Sequence, residues 1–138
     1  MGGGRQDGRG VAVATSGPVP AVGTVLCRLE EIDDPGGREF SFGRPPHMFE
    51  MFVVRHGGRV VGYVNDCPHT HTPLNWLADQ FLDASRTVIQ CGTHGARFRI
   101  NDGLCIGGPC PGAYLKGVPV TVEAGAVIVA GAPGYPRP

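Results

Sequence analysis

The chain has 138 residues, with twelve basic and twelve acidic side chains and a formal net charge of zero. That balance gives no basic footprint for nucleic acid or an anionic membrane surface, and no continuous apolar stretch is long enough to span a bilayer. Twenty-three glycines and thirteen prolines favour many turns and short strands over long helices, and the length suits one domain with a modest core.

Met1 to Val22 is rich in Gly, Ala and Pro without a sustained pattern, and reads as a flexible N-terminal tail. Ser16, Gly17, Pro18 and Pro20 break its apolar part, which makes a poor signal-peptide core. A cytoplasmic, soluble protein is expected. Gly23 to Ile32 places Val25, Cys27 and Leu29 on alternate positions and predicts a first strand. Asp33-Asp34-Pro35-Gly36-Gly37 predicts a turn, and Glu39 to Phe42 a short strand that Arg44-Pro45-Pro46-His47 interrupts.

Phe49–Arg55 and Arg59–Val64 form the clearest hairpin signal, joined across His56-Gly57-Gly58. Its second strand runs straight into Asn65-Asp66-Cys67, as a rigid sheet would present a ligand loop. Leu74, Leu77, Phe81 and Leu82 have helical spacing, so a short helical turn and a loop with buried anchors fit this stretch equally well. Trp76 reads as a packing anchor. Further strands are expected over Thr87–Gln90, Arg97–Ile100 and Leu104–Ile106, with a turn at Asn101-Asp102-Gly103. A last hairpin joins Val118–Val122 to Ala126–Ala130, and a Pro-rich, frayed C-terminal tail follows. The sum is an all-β fold of short antiparallel strands.

Chemistry concentrates in two stretches, Cys67-Pro68-His69-Thr70-His71 and Cys91-Gly92-Thr93-His94-Gly95-Ala96. Each supplies one thiol and one imidazole, as C-x-H and C-x-x-H. A Cys2His2 set of this kind accepts a single zinc ion. It equally accepts a two-iron, two-sulfide cluster with two thiolates on one iron and two imidazoles on the other.

Gly95-Ala96-Arg97-Phe98 follows the second box, and a Gly107-Gly108-Pro109-Cys110-Pro111-Gly112 loop comes after it. With these flanks, residues from about Val25 to Val129 resemble the Rieske [2Fe-2S] family, whose second box runs C-x-x-H-G-x-x-F. The resemblance implies a Rieske-type antiparallel β-sandwich or barrel over residues 23–131. A cluster-binding subdomain at about 65–115 would be inserted in it, and residues 132–138 would form the tail. It implies one [2Fe-2S] cluster, with Cys67 and Cys91 on one iron and His69 and His94 on the other. The two ligand loops would be related by approximate symmetry, with the Gly-Pro loop as a cover.

His71 stands where the family often has a small residue, and is expected to be a solvent-facing bystander. His47 and His56 fall in predicted turns and have no assigned role. Respiratory members carry an extra cysteine in each box; Thr72 and Thr93 stand there, so that bridge cannot form. Cys27 reads as a small buried hydrophobe, and Cys105 and Cys110 as unbridged thiols. No histidine follows His94, so the mononuclear iron site of Rieske oxygenase subunits cannot be built from this sequence. High-potential members also carry a Ser two residues and a Tyr four residues after the second His ligand, where this chain has Ala96 and Phe98.

The implied role is that of an electron carrier, not an enzyme. It would pass single electrons from a flavin-dependent reductase to a terminal acceptor such as a ring-hydroxylating oxygenase. The alternatives are a small Rieske subunit of a larger, nitrite-reductase-like oxidoreductase, and a structural zinc module.

Overall fold

A computed structural model of the chain describes residues 17–68, 71–75, 77–92 and 95–136. Nine strands occur among them, in three antiparallel sheets. β1 (Val25–Arg28), β8 (Val120–Glu123) and β9 (Ala126–Val129) form one sheet in the order β1-β9-β8. β2 (Gly36–Arg44), β3 (His47–His56) and β4 (Arg59–Val64) form a consecutive meander. β5 (Ile89–Gln90), β6 (Arg97–Phe98) and β7 (Cys105–Gly107) form the third, between β4 and β8 in the chain. The expected all-β architecture with an inserted subdomain is what is found.

β3 organises both cores because successive side chains of a strand point to opposite faces. Phe49, Met51 and Val53 pack with Cys27, Ile32, Val64, Val118 and Val127, which fills the sandwich between the first two sheets. Phe52 and Val54 join a second core with Tyr63, Cys67, Leu74, Phe81, Ile89, Cys91, Phe98, Cys105 and Leu115. That second core is the floor of the inserted subdomain. Each fully buried Phe, Leu or Val in these cores stabilises by about 1.5–3 kcal/mol, so the subdomain is welded to the meander by side chains of β3 and β4.

Several boundaries depart from the sequence reading. The first strand stops at Arg28, and Leu29–Glu31 make one 3-10 turn. Gly36 and Gly37 belong to β2 and not to a turn, paired with Arg55 and Val54. Here Gly serves close approach: a Cβ on Gly37 would lie 3.1 Å from the Phe81 ring. Pro45 and Pro46 do not interrupt a sheet but turn β2 into β3.

No helix forms among the described residues of 74–82; the loop reading is the right one. The backbone of Leu74 is already engaged, its N–H donating to Asn65 Oδ1 (2.8 Å) and its carbonyl accepting from Gly92 (2.7 Å). Leu74 and Phe81 are buried while Leu77 is 69% exposed, which a helical stripe would not give. Trp76 lies outside the described residues. The C-terminal segment, expected to fray, lies back on the sandwich: Gly134 and Gly117 exchange backbone hydrogen bonds of 2.8 and 2.9 Å.

Candidate metal centre

Cys67 follows the end of β4, and Cys91 follows directly on β5. Both are only 1% exposed and both belong to the second core. Their loops repeat one hydrogen-bond pattern. The N–H of Cys67 donates to the carbonyl of Thr72 (2.9 Å), and the N–H of His71 donates back to Cys67 (2.6 Å). The N–H of Cys91 donates to Ala96 (2.8 Å), and that of Gly95 donates back to Cys91 (3.0 Å). Five-residue offsets one way and four-residue offsets the other make the two loops the same turn. The symmetry expected of the ligand loops is therefore present in the backbone. His69, Thr70, Thr93 and His94 fall outside the described residues, so both histidines of the sequence-derived ligand set do too.

The repeated turn explains His71. It has φ +57°, and Gly95, its counterpart in the second loop, has φ +74°. A left-handed residue closes each turn, and glycine adopts that conformation without steric cost. The His71 side chain is 61% exposed, with Nδ1 3.5 Å from Asp66 Oδ2, in keeping with a bystander. Burial pushes the Asp66 carboxyl above its usual range, while His71 and Lys116 pull it down. His71→Gly is expected to keep the fold and its stability, whereas a β-branched His71→Val should be less stable than His71→Gly by about 1–2 kcal/mol. Thermal unfolding of the two variants side by side checks this; equal melting points would mean that the turn does not require positive φ.

The Gly-Pro loop packs on the second ligand loop. A Cβ on Gly108 (φ +86°) would lie 2.7 Å from Ala96 Cα and 3.1 Å from the Gly95 carbonyl oxygen. Only a residue without a side chain lets the two backbones meet so closely. Ala96 and Phe98 are both fully buried, so the positions lacking hydroxyls are interior ones. Cys110 of this loop and Cys105 at the start of β7 are in thiol–thiol contact at 3.2 Å and are not bridged. Burial, reinforced by Cys105, pushes the Cys110 thiol up to about 12.

A polar relay that sequence reading missed holds the first loop. Asn65, only 2% exposed, accepts from Leu74 N–H and donates through Nδ2 to Asn75 Oδ1 (2.9 Å). Asn75 donates in turn to Glu39 Oε1 (3.0 Å) and to the carbonyl of Leu77 (3.0 Å). The relay ties the Cys67 loop to β2 across the subdomain boundary. Its only sequence signal was an amide residue two positions before Cys67.

Two thiols buried at equivalent points of twin loops, each loop carrying one histidine in sequence, are a donor set of the kind that soft iron centres take. The comparisons with known proteins name that class. The profile of the Rieske [2Fe-2S] domain matches residues 24–125, and the chain belongs to this family. Its cofactor is accordingly a Rieske-type [2Fe-2S] cluster, for which the buried Cys67 and Cys91 are suitable donors.

Among solved structures, the chain is similar to a ferredoxin from Sphingomonas yanoikuyae B1 (26% identity, TM-score 0.59, covering 80% of this chain and 99% of that one). It is similar in fold to the ferredoxin of carbazole 1,9a-dioxygenase from Nocardioides aromaticivorans IC177, at 23% identity and TM-score 0.60, over 80% of this chain and 98% of that one. A complex of reduced oxygenase and oxidised ferredoxin in carbazole 1,9a-dioxygenase contains a chain matched at 21% identity and TM-score 0.65, over 85% and 100% of the two chains. No curated protein sequence matches the chain.

Proposed function

We propose that this protein is a soluble, cytoplasmic one-electron carrier that takes electrons from a flavin-dependent reductase and delivers them to a ring-hydroxylating oxygenase. In this reading Cys67 and Cys91 bind one iron of the cluster, and His69 and His94 the other. The observation that carries it is the pair of twin loops, each presenting one buried cysteine from the same core. End-to-end similarity to ferredoxin chains supports a carrier over a catalytic role. The likeness to a ferredoxin solved together with an oxygenase supports the class of acceptor.

The cluster supplies the one-electron chemistry, and the chain supplies ligation, insulation and a docking face. The core shared by Cys67 and Cys91 keeps water from the thiolate side, while the Gly107–Gly112 loop covers the second ligand loop. The test is to reduce the purified protein and follow its reoxidation on mixing with a ring-hydroxylating oxygenase. Rapid reoxidation is expected, and no hydroxylation by the carrier with reductase alone. A reduced protein that every such oxygenase leaves reduced would sink the reading.

The midpoint potential is expected near the low end of the Rieske span, roughly −150 mV against an upper limit near +300 mV. A hydroxyl aimed at a sulfide or ligand thiolate stabilises the added electron, and Ala96 and Phe98 offer none. A low potential also keeps the coupled imidazole protons bound, so the midpoint should stay flat through neutrality and fall only in alkali. Voltammetry across pH measures both. A value above about +100 mV would mean that other donors dominate the site.

A further inference from the structure

Cys105 and Cys110 are outside the proposed ligand set, yet they are held together. Cys110 Sγ lies 3.2 Å from Cys105 Sγ, and the Cys105 thiol lies 3.2 Å from the carbonyl of Gly107, to which it donates. Cys105 is buried on β7, where it pairs with Phe98, and Cys110 is half-buried in the loop. The backbone closes the same ring: Cys105 donates to Ala113 (2.8 Å), Gly112 donates to Cys105 (3.1 Å), and Ala113 donates to Cys110 (3.1 Å). A disulfide sulfur pair sits about 2.0 Å apart, so closure needs an approach of about 1.2 Å. The slack lies on the Cys110 side. Gly112, at φ +88°, has open space where a side chain would stand, whereas Gly108 is packed on Ala96.

We propose that Cys105 and Cys110 form an oxidisable dithiol site that reacts with a low-molecular-weight disulfide and closes an intraloop disulfide across the Gly-Pro cover. Cys110, the less buried thiol, attacks one sulfur of the small disulfide. That S–S bond breaks, and one small thiol leaves with the proton from Cys110. Cys105 then attacks the Cys110 sulfur of the mixed disulfide, and the second small thiol leaves with the proton from Cys105. Two protein S–H bonds are replaced by one S–S bond; the protein loses two electrons and the small disulfide gains them. The thiol donation from Cys105 to Gly107 is given up, and Pro109 is enclosed in a covalent ring. The dithiol chemistry does not depend on the electron-carrier reading.

The experiment equilibrates the purified holoprotein, without oxygen, in glutathione buffers of increasing disulfide-to-thiol ratio, followed by acid quenching, alkylation and peptide mapping. The equilibration is long because burial raises the Cys110 thiol, which leaves little of the attacking thiolate near neutrality. A Cys105–Cys110 cross-linked peptide is expected, lighter by two hydrogen atoms, saturating as the ratio rises while the visible absorption persists. Cys110→Ser and, as a second variant, Cys110→Ala should abolish the link, and Cys27→Ser should not. A stable glutathione adduct at Cys110 would overturn the proposal. So would both thiols remaining alkylated in pure glutathione disulfide, or a cross-link that includes Cys67 or Cys91. A colourless protein that still forms the Cys105–Cys110 link would refute the cluster ligation and uphold the dithiol; a coloured protein without the link does the reverse.

Discussion

Cys67→Ala and Cys91→Ala are each expected to yield a colourless protein with no iron or inorganic sulfide, as are His69→Ala and His94→Ala. Each of the four is one quarter of the proposed protein ligation, and at Cys67 and Cys91 the buried apolar surroundings leave no water to replace a lost ligand. The cysteine variants are the cleaner test. Cys67 and Cys91 are both 1% exposed, and Ala removes only the sulfur, so the turn that each begins keeps its backbone hydrogen bonds. His71→Ala is the matched control: it lies in the same loop but its ring is mostly exposed, and the colour should persist. Iron and sulfide analysis with visible absorption and electron paramagnetic resonance reads the whole series. A colourless His71→Ala beside a coloured His69→Ala would shift the register of the first box. Retention of a tightly bound zinc ion by the wild-type protein, with no sulfide, would replace the cluster altogether.

The parts that were legible in the sequence are those whose signal is local. Two runs rich in Val and aromatics on either side of His56-Gly57-Gly58 gave the β3–β4 hairpin, because strand composition and a glycine turn both operate within a few residues. The two Cys–His boxes were legible because metal ligation constrains residue type as well as spacing. What stayed hidden depends on contacts distant in the chain. Gly37 reads as a turn glycine until Phe81 is placed against it, forty-odd residues on. Helical spacing over Leu74–Leu82 was overridden by a long-range contact: the Leu74 carbonyl, which a helix would pair four residues on, accepts the N–H of Gly92. The role of His71 as the left-handed partner of Gly95 required both loops to be superposed; its chemistry as a histidine drew attention away from its backbone. Gly134 pairs with Gly117 through main-chain atoms alone, for which composition carries no signal.

Phe81→Ala is expected to destabilise the protein by about 3–5 kcal/mol, the range for truncating a buried aromatic. The ring is 1% exposed and lies 4.1 Å from Phe52, centroid to centroid, with the planes only 5° apart. Phe52 is on β3 and Phe81 in the loop before β5, so this stack joins the meander to the inserted subdomain. The stacked pair contributes about 0.5–1.5 kcal/mol beyond area burial. The Phe81 carbonyl accepts the Gln90 N–H at 2.9 Å, one residue before Cys91, so a cavity here also loosens the strand that presents the second thiol. For a domain of this size about 2–4 °C is lost per kcal/mol, which predicts a melting point lower by roughly 10 °C. Leu77→Ala, in the same loop but exposed, should stay within about 0.5 kcal/mol of wild type. At low temperature Phe81→Ala should still hold its cluster, since a typical domain has about 5–15 kcal/mol in hand. On warming, the colour should bleach together with the loss of fold. Calorimetry beside visible absorption separates the contributions: an unchanged melting point would show that the Phe52–Phe81 stack does not hold the subdomain, and bleaching well before unfolding would show that the two cores melt independently.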